Sequence, residues 1–469
     1  VGMLAHNSDR YLEYLFAVWW GGGVLNPVNS RWSVAEIVYS LDDCGTGILI
    51  VDEHFAGLAE GICDLARTPP LFIHAGDGEA PVGMYGFEQL IADTAPVEDA
   101  GRGGDDLACI LYTGGTTGFP KGVMLTHYNI TNNGQFMGDC MKLTERDRLL
   151  IVVPLFHCFG CVLGMMSCLT HCTTMVLMDH YNPLREMEIL QNARCTAVHG
   201  VPTMFIGMLE HPDFTKFDFS LLRTGIMAGS PCPIKTMRDV TEKMHLSELT
   251  ITYGQTECSP GMTMSRTDDP LELRVTTVGK LLPHTEGRII DPETGREVAR
   301  GVPGEICTRG YLVMKGYYKM PEATRQAVDA EGWLHTGDIG SMDEDGNFRI
   351  TGRLKDMIIR GGENIYPREI EEFLYTHHAV RDVQVVGVPD EKYGEEVCAC
   401  VVLKEGCAVT EVELIDYVRA GLSRFKAPRY VLVMDGFPMT ASGKIQKFKL
   451  RELGVERLGL QSVANIETA

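Results

Sequence analysis

Short apolar runs alternate with helical patterns along most of this sequence, and this alternation constrains the fold more than any other feature. An amphipathic pattern over residues 11–17 predicts a helix, and Ser33 with Glu36 predicts a capped helix that reaches about Leu41. Residues 47–52 form an apolar run with the composition of a strand buried on both faces. Such alternation is typical of parallel sheets covered by helices, so we predict an α/β fold with layered sheets.

The same alternation recurs in the middle of the chain. Further buried elements are predicted as strands at residues 149–153, 173–178, 197–201, 222–227 and 249–253 and as helices at 161–170 and 183–192. The last three strands run into small or polar residues at their C-terminal ends. Because open parallel sheets bind ligands at that edge, we expect a binding site there.

The pattern changes near Gly279. Short alternating runs, separated by turn signals at residues 291–295 and 343–347, predict a β-rich subdomain. A smaller α+β unit follows, with a helix that begins with Pro367, strands at 383–388 and 397–403, a helix capped by Thr410 and Glu413, and a strand at 430–434. We therefore predict a large domain over residues 1–353 and a small C-terminal domain over residues 354–469.

The composition is that of a globular protein. The 469 residues exceed what one core usually organises, and a net charge of -21 argues against nucleic-acid binding, which needs clustered Lys and Arg. No apolar run reaches the ~20 residues that span a bilayer and no signal peptide is visible, so we predict a cytoplasmic location. The 15 cysteines are irregularly spaced. Cys158 and Cys161 form a single pair without a second one, which favours buried free thiols over a zinc site.

Residues 112–122 follow a strand-like run and combine glycine and threonine with a single lysine, Lys121. Glycine lets backbone N–H groups converge on an anion, while threonine hydroxyls and the lysine add donors and charge. The segment is not a Walker A loop, because Pro120 precedes the lysine and Gly122 follows it. We predict a polyphosphate cradle; a surface loop without a ligand is the alternative that composition leaves open.

Residues 253–257, with the sequence Tyr-Gly-Gln-Thr-Glu, follow a predicted strand. The ring of Tyr253 can stack on a purine, and the hydroxyl of Thr256 can donate to a phosphate. Glu257 can bind Mg²⁺, a hard cation that prefers carboxylate and phosphate oxygens. Taken alone, the segment is more typical of a turn with a surface glutamate.

Three further side chains are suited to a nucleotide. Asp338 can accept hydrogen bonds from both ribose hydroxyls, and Arg353 can reach the ribose or a phosphate. Lys444, on a Gly/Ser loop, can neutralise charge at a reacting phosphate. Singly, these residues are also typical of a turn, a charged linker and a solvated surface.

An apolar slot is predicted where the other strands end. Phe156, His157 and Phe159 precede the helical pattern at 161–170, and small residues at 227–231 follow another strand. His157 is a candidate catalytic residue, with a plain core histidine as the alternative.

The order of these segments along the chain resembles that of a known family. The Thr/Gly/Lys loop, Tyr-Gly-x-Thr-Glu, Thr-Gly-Asp, Gly-Arg-x-Lys-Asp and Ser-Gly-Lys occur together in the AMP-forming acyl-CoA synthetases of the adenylate-forming superfamily, which also contains firefly luciferase and the adenylation domains of peptide synthetases. The resemblance extends from about Asn7 to Lys447. It implies ATP, Mg²⁺ and coenzyme A as ligands, and a small C-terminal domain that is mobile about a hinge at Lys355.

The resemblance also implies a role for each candidate residue. Residues 113–121 would wrap the β- and γ-phosphates, Tyr253 would stack on adenine beside residues 229–231, and residues 361–364 would face the pantetheine tunnel. Thr256 would contact the α-phosphate, Glu257 would hold Mg²⁺, and Lys444 would bridge the carboxylate and the α-phosphate. Asp338 and Arg353 would hold the ribose. The catalytic candidates are His157, Thr256, Glu257 and Lys444. The cofactor-binding candidates are Thr113, Gly114, Gly115, Thr116, Thr117, Gly118, Phe119, Pro120, Lys121, Gly229, Ser230, Pro231, Tyr253, Gly254, Gln255, Asp338, Arg353, Gly361, Gly362 and Glu363.

Two departures from the family pattern are visible. Gly114 stands where the family often has serine; glycine also occurs there, so we expect ATP binding to be retained. From the resemblance we also expect the start of the family's large domain to be missing before Val1, which leaves the packing of its first strands open.

The sequence therefore predicts an ATP-dependent acyl-CoA synthetase that adenylates a carboxylic acid and transfers the acyl group to coenzyme A. Phe156, Phe159 and the Cys/Met-rich helical pattern favour a medium- or long-chain fatty acid. The alternatives are an aryl-CoA ligase, an enzyme that loads a carrier protein, and a nucleotide-binding regulator without turnover. Lys444 and Glu257 weigh against the regulator. A homodimer is compatible with the sequence.

Overall fold

A computed structural model describes residues 1–113, 120–229, 232, 234–360, 363–390, 393–422, 424–439 and 445–461, with residues 363 and 364 described by their backbone alone. The α-helices are α1 (Asp9–Trp20), α2 (Val34–Cys44), α3 (Ala59–Leu65), α4 (Phe87–Asp93), α5 (His127–Met141), α6 (Ser167–Thr170), α7 (Pro183–Asn192), α8 (Pro202–Leu209), α9 (Ile234–Lys243), α10 (Leu271–Thr276), α11 (Pro321–Ala327), α12 (Pro367–Tyr375), α13 (Glu411–Gly421) and α14 (Lys447–Arg457).

The strands are β1 (Gly2–Leu4), β2 (Asn26–Pro27), β3 (Ile48–Val51), β4 (Leu71–His74), β5 (Tyr85–Gly86), β6 (Leu107–Thr113), β7 (Lys121–Thr126), β8 (Arg148–Ile151), β9 (Thr174–Leu177), β10 (Ala197–Gly200), β11 (Thr224–Met227), β12 (Glu248–Gly254), β13 (Gly261–Met264), β14 (Lys280–Leu281), β15 (Thr285–Ile290), β16 (Gly304–Gly310), β17 (Gly316–Tyr317), β18 (Leu334–Met342), β19 (Phe348–Arg353), β20 (Ile358–Arg360), β21 (Glu363–Ile365), β22 (Val380–Asp390), β23 (Gly394–Leu403) and β24 (Tyr430–Val433). The predicted α/β class is confirmed.

The chain forms two compact units. The first comprises Val1–Arg288, Cys307–Thr336 and Asp345–Phe348, and the second comprises Ile289–Ile306, Gly337–Glu344 and the chain from Arg349 onward. The domain boundary between residues 353 and 354 stays a prediction. Among the described residues, none of the helices has both the length and the apolar character that crossing a membrane requires.

Two sheets with parallel strands organise the first unit. One has the order β2–β1–β3–β4–β5 and is parallel throughout. The other has the order β14–β13–β12–β11–β10–β8–β9, with parallel pairing from β12 to β9 and antiparallel pairing of β13 and β14. Strand β1 is paired on both sides, and its residues Met3 and Leu4 are fully buried.

Local capping signals fix several helix starts, and the capping box of α2 is the one predicted from the sequence. The side chains of Ser33 and Glu36 form the reciprocal capping box of α2. The side chain of Asn182 caps α7, whose first residue is Pro183. In each case the cap satisfies backbone N–H groups that have no partner within the helix, so the boundary follows from a few neighbouring residues.

The buried helix predicted at residues 161–170 differs from the expectation. The segment begins as a π-helix over Phe159–Met166 and continues as α6, and all eight π-helical residues are buried. A Cβ atom at Gly160 would lie 2.2 Å from the carbonyl oxygen of Pro154, and one at Gly164 would lie 3.3 Å from the side chain of Ile151. The apolar composition of the segment on all sides predicted its burial. The wider π-helical turn accompanies the close packing against Ile151 and Pro154, which are not part of the helix, so the helix sequence alone did not indicate it.

Strands β6 and β7, which lie on either side of residues 114–119, form an antiparallel pair that the sequence did not indicate. Strands β6 and β7 pair antiparallel, with Thr113 opposite Lys121, and β17 adds to the other side of β7. The candidate phosphate segment therefore connects two strands, and α5 begins only after β7, with Thr126 as its N-cap.

The second unit contains a sheet of order β21–β20–β23–β22, with β24 parallel to β23. The Thr410–Glu413 capping box of α13 is present as predicted. Cys398 and Cys400 are both buried in one apolar cluster with Leu450, which confirms that they lie on the same face of β23. The remaining four-stranded sheet has the order β15–β16–β18–β19.

Candidate functional site

The carboxyl edge of the seven-stranded sheet brings three predicted segments together. Strands β8, β10, β11 and β12 are parallel neighbours, so the residues that follow them meet at one edge. His157 lies after β8, Gly229 after β11, and Tyr253 with Gly254 ends β12. Gly229 has φ of +90°, a backbone conformation that favours glycine. This is the edge at which open parallel sheets bind ligands.

The end of β12 turns sharply at Gly254. A Cβ atom there would lie 1.9 Å from the carbonyl oxygen of Pro260, and the register with β13 shifts between Tyr253 and Gly254. A short 3-10 turn over Thr256–Cys258 follows. Thr256 is buried and Glu257 is half-buried, so both residues lie in a packed turn and not in an exposed surface loop.

The loop after β8 contacts this turn. The Sγ atom of Cys158 lies 3.4 Å from the hydroxyl oxygen of Thr256, and both residues are buried. The backbone N–H of Phe159 donates to Nδ1 of His157 over 3.1 Å, so the neutral imidazole carries its proton on Nε2. The loop of His157 and the turn of Thr256 are therefore in direct contact, as the predicted shared site requires.

The hairpin contributes two described candidates. Lys121 is the first residue of β7, and the hydroxyl of Thr113 lies 3.5 Å from the carbonyl oxygen of Lys121. Pro120 is buried. Lys121 is only half-buried.

Tyr317, which the sequence analysis did not select, connects Lys121 with Glu257. Its hydroxyl donates to Oε1 of Glu257 over 2.8 Å, and Nζ of Lys121 lies over its ring, 4.8 Å from the centroid. Burial and the carboxylate of Glu257 raise the pKa of Tyr317, so the phenol remains a neutral donor. The hairpin and the turn after β12 are thus brought to the two sides of one aromatic side chain.

The carboxylate of Glu257 fits the chemistry of a magnesium ligand. It supplies hard oxygen donors, and within the described part of the chain its second oxygen, Oε2, makes no hydrogen bond. Its backbone carbonyl accepts from the N–H of Met314 over 2.9 Å, which holds the residue in place. Glu257 therefore offers a positioned carboxylate oxygen for a hard cation.

Gln255 has a different contact. Its side-chain amide lies 3.4 Å from the carbonyl oxygen of Thr336, the first residue of the Thr-Gly-Asp segment. Two of the predicted segments, far apart in sequence, therefore contact each other within the first unit.

In the second unit, Asp338 and Arg353 form an ion pair. Nε of Arg353 lies 3.0 Å from Oδ1 of Asp338, whose side chain is almost completely buried. The backbone N–H of Gly337 donates to Oε1 of Glu305 over 3.1 Å, and Gly337 has φ of +67°. The two residues that were expected to share a ribose are thus neighbours. Lys355, the expected hinge, lies exposed in the 3-10 turn Leu354–Asp356.

Several candidates lie outside the described residues, namely Gly114, Gly115, Thr116, Thr117, Gly118, Phe119, Ser230, Pro231, Gly361, Gly362 and Lys444, together with the side chain of Glu363. Their roles stay predictions.

His199 shows that a polar residue near this edge can serve the fold alone. It is completely buried, with Nε2 3.1 Å from the carbonyl oxygen of Leu163, and the N–H of Ile226 donates to its Nδ1. Burial lowers the pKa of His199 to about 4, so the ring is neutral at physiological pH. Both ring nitrogens are used within the protein, which leaves none for a ligand.

Two residues of the site, Tyr317 and Cys158, were not found from the sequence. Gly316, with φ of +137°, precedes Tyr317, and a Gly-Tyr pair in a turn-rich region was the only local signal. The sequence predicted Cys158 as a buried free thiol and gave no indication of its contact with Thr256. Their roles depend on contacts between residues about 60 to 200 positions apart in sequence, which spacing does not encode.

The chain belongs to the AMP-binding enzyme family. Residues 1–318 match the family model for AMP-binding enzymes, and residues 369–444 match that for the AMP-binding enzyme C-terminal domain. Within this family it is an adenylate-forming acyl-CoA ligase, as its similarity to proteins of that name over nearly the whole chain shows.

Two relatives and two solved structures illustrate the similarity. YngI of Bacillus subtilis (strain 168), provisionally named an acyl-CoA synthetase, is 48% identical over 98% of this chain and 88% of its own length. Human medium-chain acyl-CoA ligase ACSF2, mitochondrial, is 44% identical over 98% of this chain and 80% of its own length. ATP-bound MatB from Rhodopseudomonas palustris is 32% identical with a TM-score of 0.86 and coverage of 96% and 88%. The anthranilate CoA ligase AuaEII in complex with anthranoyl-AMP is 26% identical with a TM-score of 0.89 and coverage of 98% and 88%.

Proposed function

We propose that this enzyme activates a medium- or long-chain fatty acid with ATP and transfers the acyl group to coenzyme A. The observation that carries the proposal is the contact of Tyr317 with both Lys121 and Glu257, together with the contact of Cys158 with Thr256 in the same turn as Glu257. These groups are the donors, cation and carboxylate that a metal-bound triphosphate requires.

The reaction has two steps. First, a carboxylate oxygen attacks the α-phosphorus, the bond to the bridging oxygen breaks, and pyrophosphate leaves. Then the thiolate of coenzyme A attacks the acyl carbonyl and AMP leaves with the electron pair of the C–O bond. Adenylation is needed because a carboxylate oxygen is a poor leaving group, whereas AMP is a good one.

The main role of the candidate site residues would be to neutralise charge on the phosphates. In the first step two anions approach each other, so positive groups at the phosphates lower the barrier. Lys121 would bind the phosphates of ATP, Thr256 would donate to the α-phosphate, and Glu257 would hold Mg²⁺. When bound, Mg²⁺ neutralises developing charge on the phosphate oxygens. Asp338 and Arg353 would hold the ribose, with Lys444 bridging the carboxylate and the α-phosphate.

The length of the fatty acid rests on two supports. The curated relatives include several medium-chain acyl-CoA ligases. The loop and π-helix next to the site are apolar, with Phe156 and Phe159 largely buried, and large apolar side chains favour an alkyl chain over a short polar acid.

A panel of acids tests this proposal. Saturated fatty acids from butyrate to palmitate, benzoate and 2-aminobenzoate are incubated with ATP, Mg²⁺ and coenzyme A, and both pyrophosphate and the acyl thioester are measured. We expect a maximum at medium or long chain length. A maximum at an aromatic acid would assign an aryl-CoA ligase, and adenylation with transfer only to a carrier-protein thiol would assign the loading enzyme. ATP binding without AMP from any acid would overturn the enzymatic proposal.

The role of Lys444 has its own test. Lys444→Ala should lower adenylate formation by about a hundredfold or more, because it removes a charge at the reacting phosphate, while thioester formation from preformed acyl-adenylate is retained. Lys449→Ala is the control, since Lys449 is an exposed lysine on α14. Equal loss of both half-reactions would contradict the role. A cytoplasmic location and a homodimer stay predictions.

A further inference from the structure

Tyr317 contacts both of the oppositely charged residues of the site. Its hydroxyl contacts Glu257 at 2.8 Å and its ring face contacts the ammonium group of Lys121, with Nζ 4.8 Å from the centroid. Within the described residues, Lys121 and Glu257 do not form an ion pair with each other or with any other side chain. Tyr317 therefore contacts each charged group, one through its hydroxyl and the other through its ring face, while the two groups do not pair with each other.

The position of Tyr317 is fixed from several sides. Its side chain is buried, and its backbone N–H donates to the hydroxyl oxygen of Thr324 over 2.9 Å. Strand β17 pairs with β7, with Tyr317 opposite Val123, and Gly316 brings the chain close to Thr324, where a Cβ atom would lie 2.9 Å from the Cγ2 atom. A ring held in this way is a rigid spacer and not a mobile cover.

Opposite charges in a partly buried site attract strongly, because the effective dielectric constant there is far below that of water. Lys121 has a long flexible side chain, so a vacated ring position would let its ammonium group approach the carboxylate of Glu257. Each group would then neutralise the other, and neither would retain its full charge for a ligand.

We propose that Tyr317 is a positioning residue that prevents an ion pair between Lys121 and Glu257, so that Lys121 stays available to phosphate and Glu257 stays available to a divalent cation. This inference rests on the proposed function of the site as a nucleotide site. It assigns Tyr317 no chemical step: the phenol acts through the two residues that it separates.

The test measures equilibrium binding of ATP to the full chain by calorimetry, with EDTA and then with Mg²⁺. Tyr317→Leu should weaken binding of metal-free ATP by about tenfold or more, because Lys121 is captured by Glu257. Tyr317→Phe keeps the ring and should bind metal-free ATP within about twofold of the wild type, since it loses only a hydrogen bond to Glu257. Tyr318→Leu, the neighbouring tyrosine of similar size, should bind as the wild type does.

A second-site change distinguishes the spacer from a merely structural role. In the double variant Tyr317→Leu with Glu257→Gln, the carboxylate charge is gone, so Lys121 is released and metal-free ATP binding should recover to within about threefold of the Glu257→Gln variant. A purely structural defect would not recover. Thermal unfolding of each variant verifies folding, and Tyr317→Met replaces Tyr317→Leu in the same cycle if the leucine variant does not fold.

The outcomes separate this inference from the proposed function. If the wild type binds no ATP, the nucleotide-site proposal fails, and the spacer inference fails with it. If the wild type binds ATP but Tyr317→Leu binds equally well, or if the double variant does not recover, Tyr317 does not act as the spacer and the function is unaffected.

Discussion

At the amino ends of the strands of the seven-stranded sheet opposite charges pair directly, whereas Glu257, in the turn after β12 of that sheet, does not pair with Lys121 of β7. Asp147 and Arg223 precede β8 and β11, and Glu248 begins β12. The guanidinium of Arg223 bridges Oδ2 of Asp147 at 2.7 Å and Oε2 of Glu248 at 2.5 Å. Tyr317, by contrast, contacts both Lys121 and Glu257, and we propose that it keeps them apart.

The amino-end network is saturated. Asp147 also accepts from the hydroxyl of Thr196 at 2.7 Å and from the backbone N–H and hydroxyl of Thr144 at 2.9 and 3.0 Å. Although burial opposes it, the hydrogen bonds from Arg223 and Thr196 lower the pKa of Asp147 below its usual value. The residues that precede β8, β10 and β11 and the residue that begins β12 are thereby tied together at one end of the sheet.

A closed charge network in one region and unpaired charges in another allow the same folded unit to combine stability with binding capacity. A closed charge network satisfies its donors and acceptors within the protein and has little left for a ligand. Charges that are positioned but unpaired retain their attraction for a ligand, at a cost that the rest of the fold must offset. The two ends therefore should respond differently to substitution: the amino end in stability, the carboxyl end in turnover.

The largest effect is expected at the amino end. Asp147→Ala should lower the free energy of unfolding by about 3 kcal/mol, because it leaves part of the Arg223 guanidinium half-buried without its partner, while turnover of the folded enzyme is retained. Urea denaturation and steady-state rates measure the two quantities. Arg146→Ala, which removes an exposed arginine, is the control and should change stability by no more than about 0.5 kcal/mol. Loss of turnover at unchanged stability would contradict the division between the two ends.

The second effect concerns His199, which lies near the carboxyl end but serves the core. Because its pKa is lowered by burial to about 4, the neutral ring contributes stability that is fully present above about pH 6.5 and is lost as the pH falls toward 4. The free energy of unfolding should therefore fall by up to ~1.4 kcal/mol per pH unit in that window, more steeply in the wild type than in His199→Asn. Urea midpoints between pH 7 and pH 4.5 measure this slope, and equal slopes would show that His199 does not titrate in this way.

The third effect concerns Glu257, in the turn after β12. Glu257→Gln should lower turnover by about a hundredfold, since it removes a carboxylate charge proposed to hold Mg²⁺, and should change the free energy of unfolding by no more than about 1 kcal/mol. Pyrophosphate release and urea denaturation measure the two. Glu272→Gln, at an exposed glutamate paired with Arg238, should leave turnover unchanged. A stability loss as large as that of Asp147→Ala would make the carboxyl end a structural network as well.

The smallest effect is expected for Cys158. Cys158→Ala removes the contact with the hydroxyl of Thr256 and should lower kcat/KM for ATP by about fivefold, the value of one ordinary hydrogen bond, whereas Cys158→Ser retains a polar partner and should lose less. Pyrophosphate release at varied ATP concentration tests this. If serine and alanine have the same effect, the contact does not position Thr256.

Much of the fold was predictable because its signals are local. The helix predicted at residues 183–192 has the bounds of α7, and the capping box of Thr410 and Glu413 gave the start of α13. Strands β10, β11 and β12 were found as apolar runs, because strands buried on both faces carry little polar sequence. The order of the five short segments, from the Thr/Gly/Lys loop to Ser-Gly-Lys, indicated the family, which the comparisons confirm.

Other features depend on contacts that no short segment contains. The π-helical turn accompanies packing of Gly160 against Pro154, and the hairpin of β6 and β7 depends on antiparallel pairing of strands on either side of the candidate loop. The role of Tyr317 depends on two partners distant in sequence.

The sequence by itself determined the class of the fold, the positions of most strands and capped helices, and the set of side chains suited to a nucleotide, because periodicity, caps and residue chemistry act over a few neighbouring residues. Only the tertiary structure decided which opposite charges pair and which stay apart. That choice is set by distances of a few ångströms between segments far apart in the chain, as Arg223 with Asp147 and Tyr317 with Lys121 and Glu257 show.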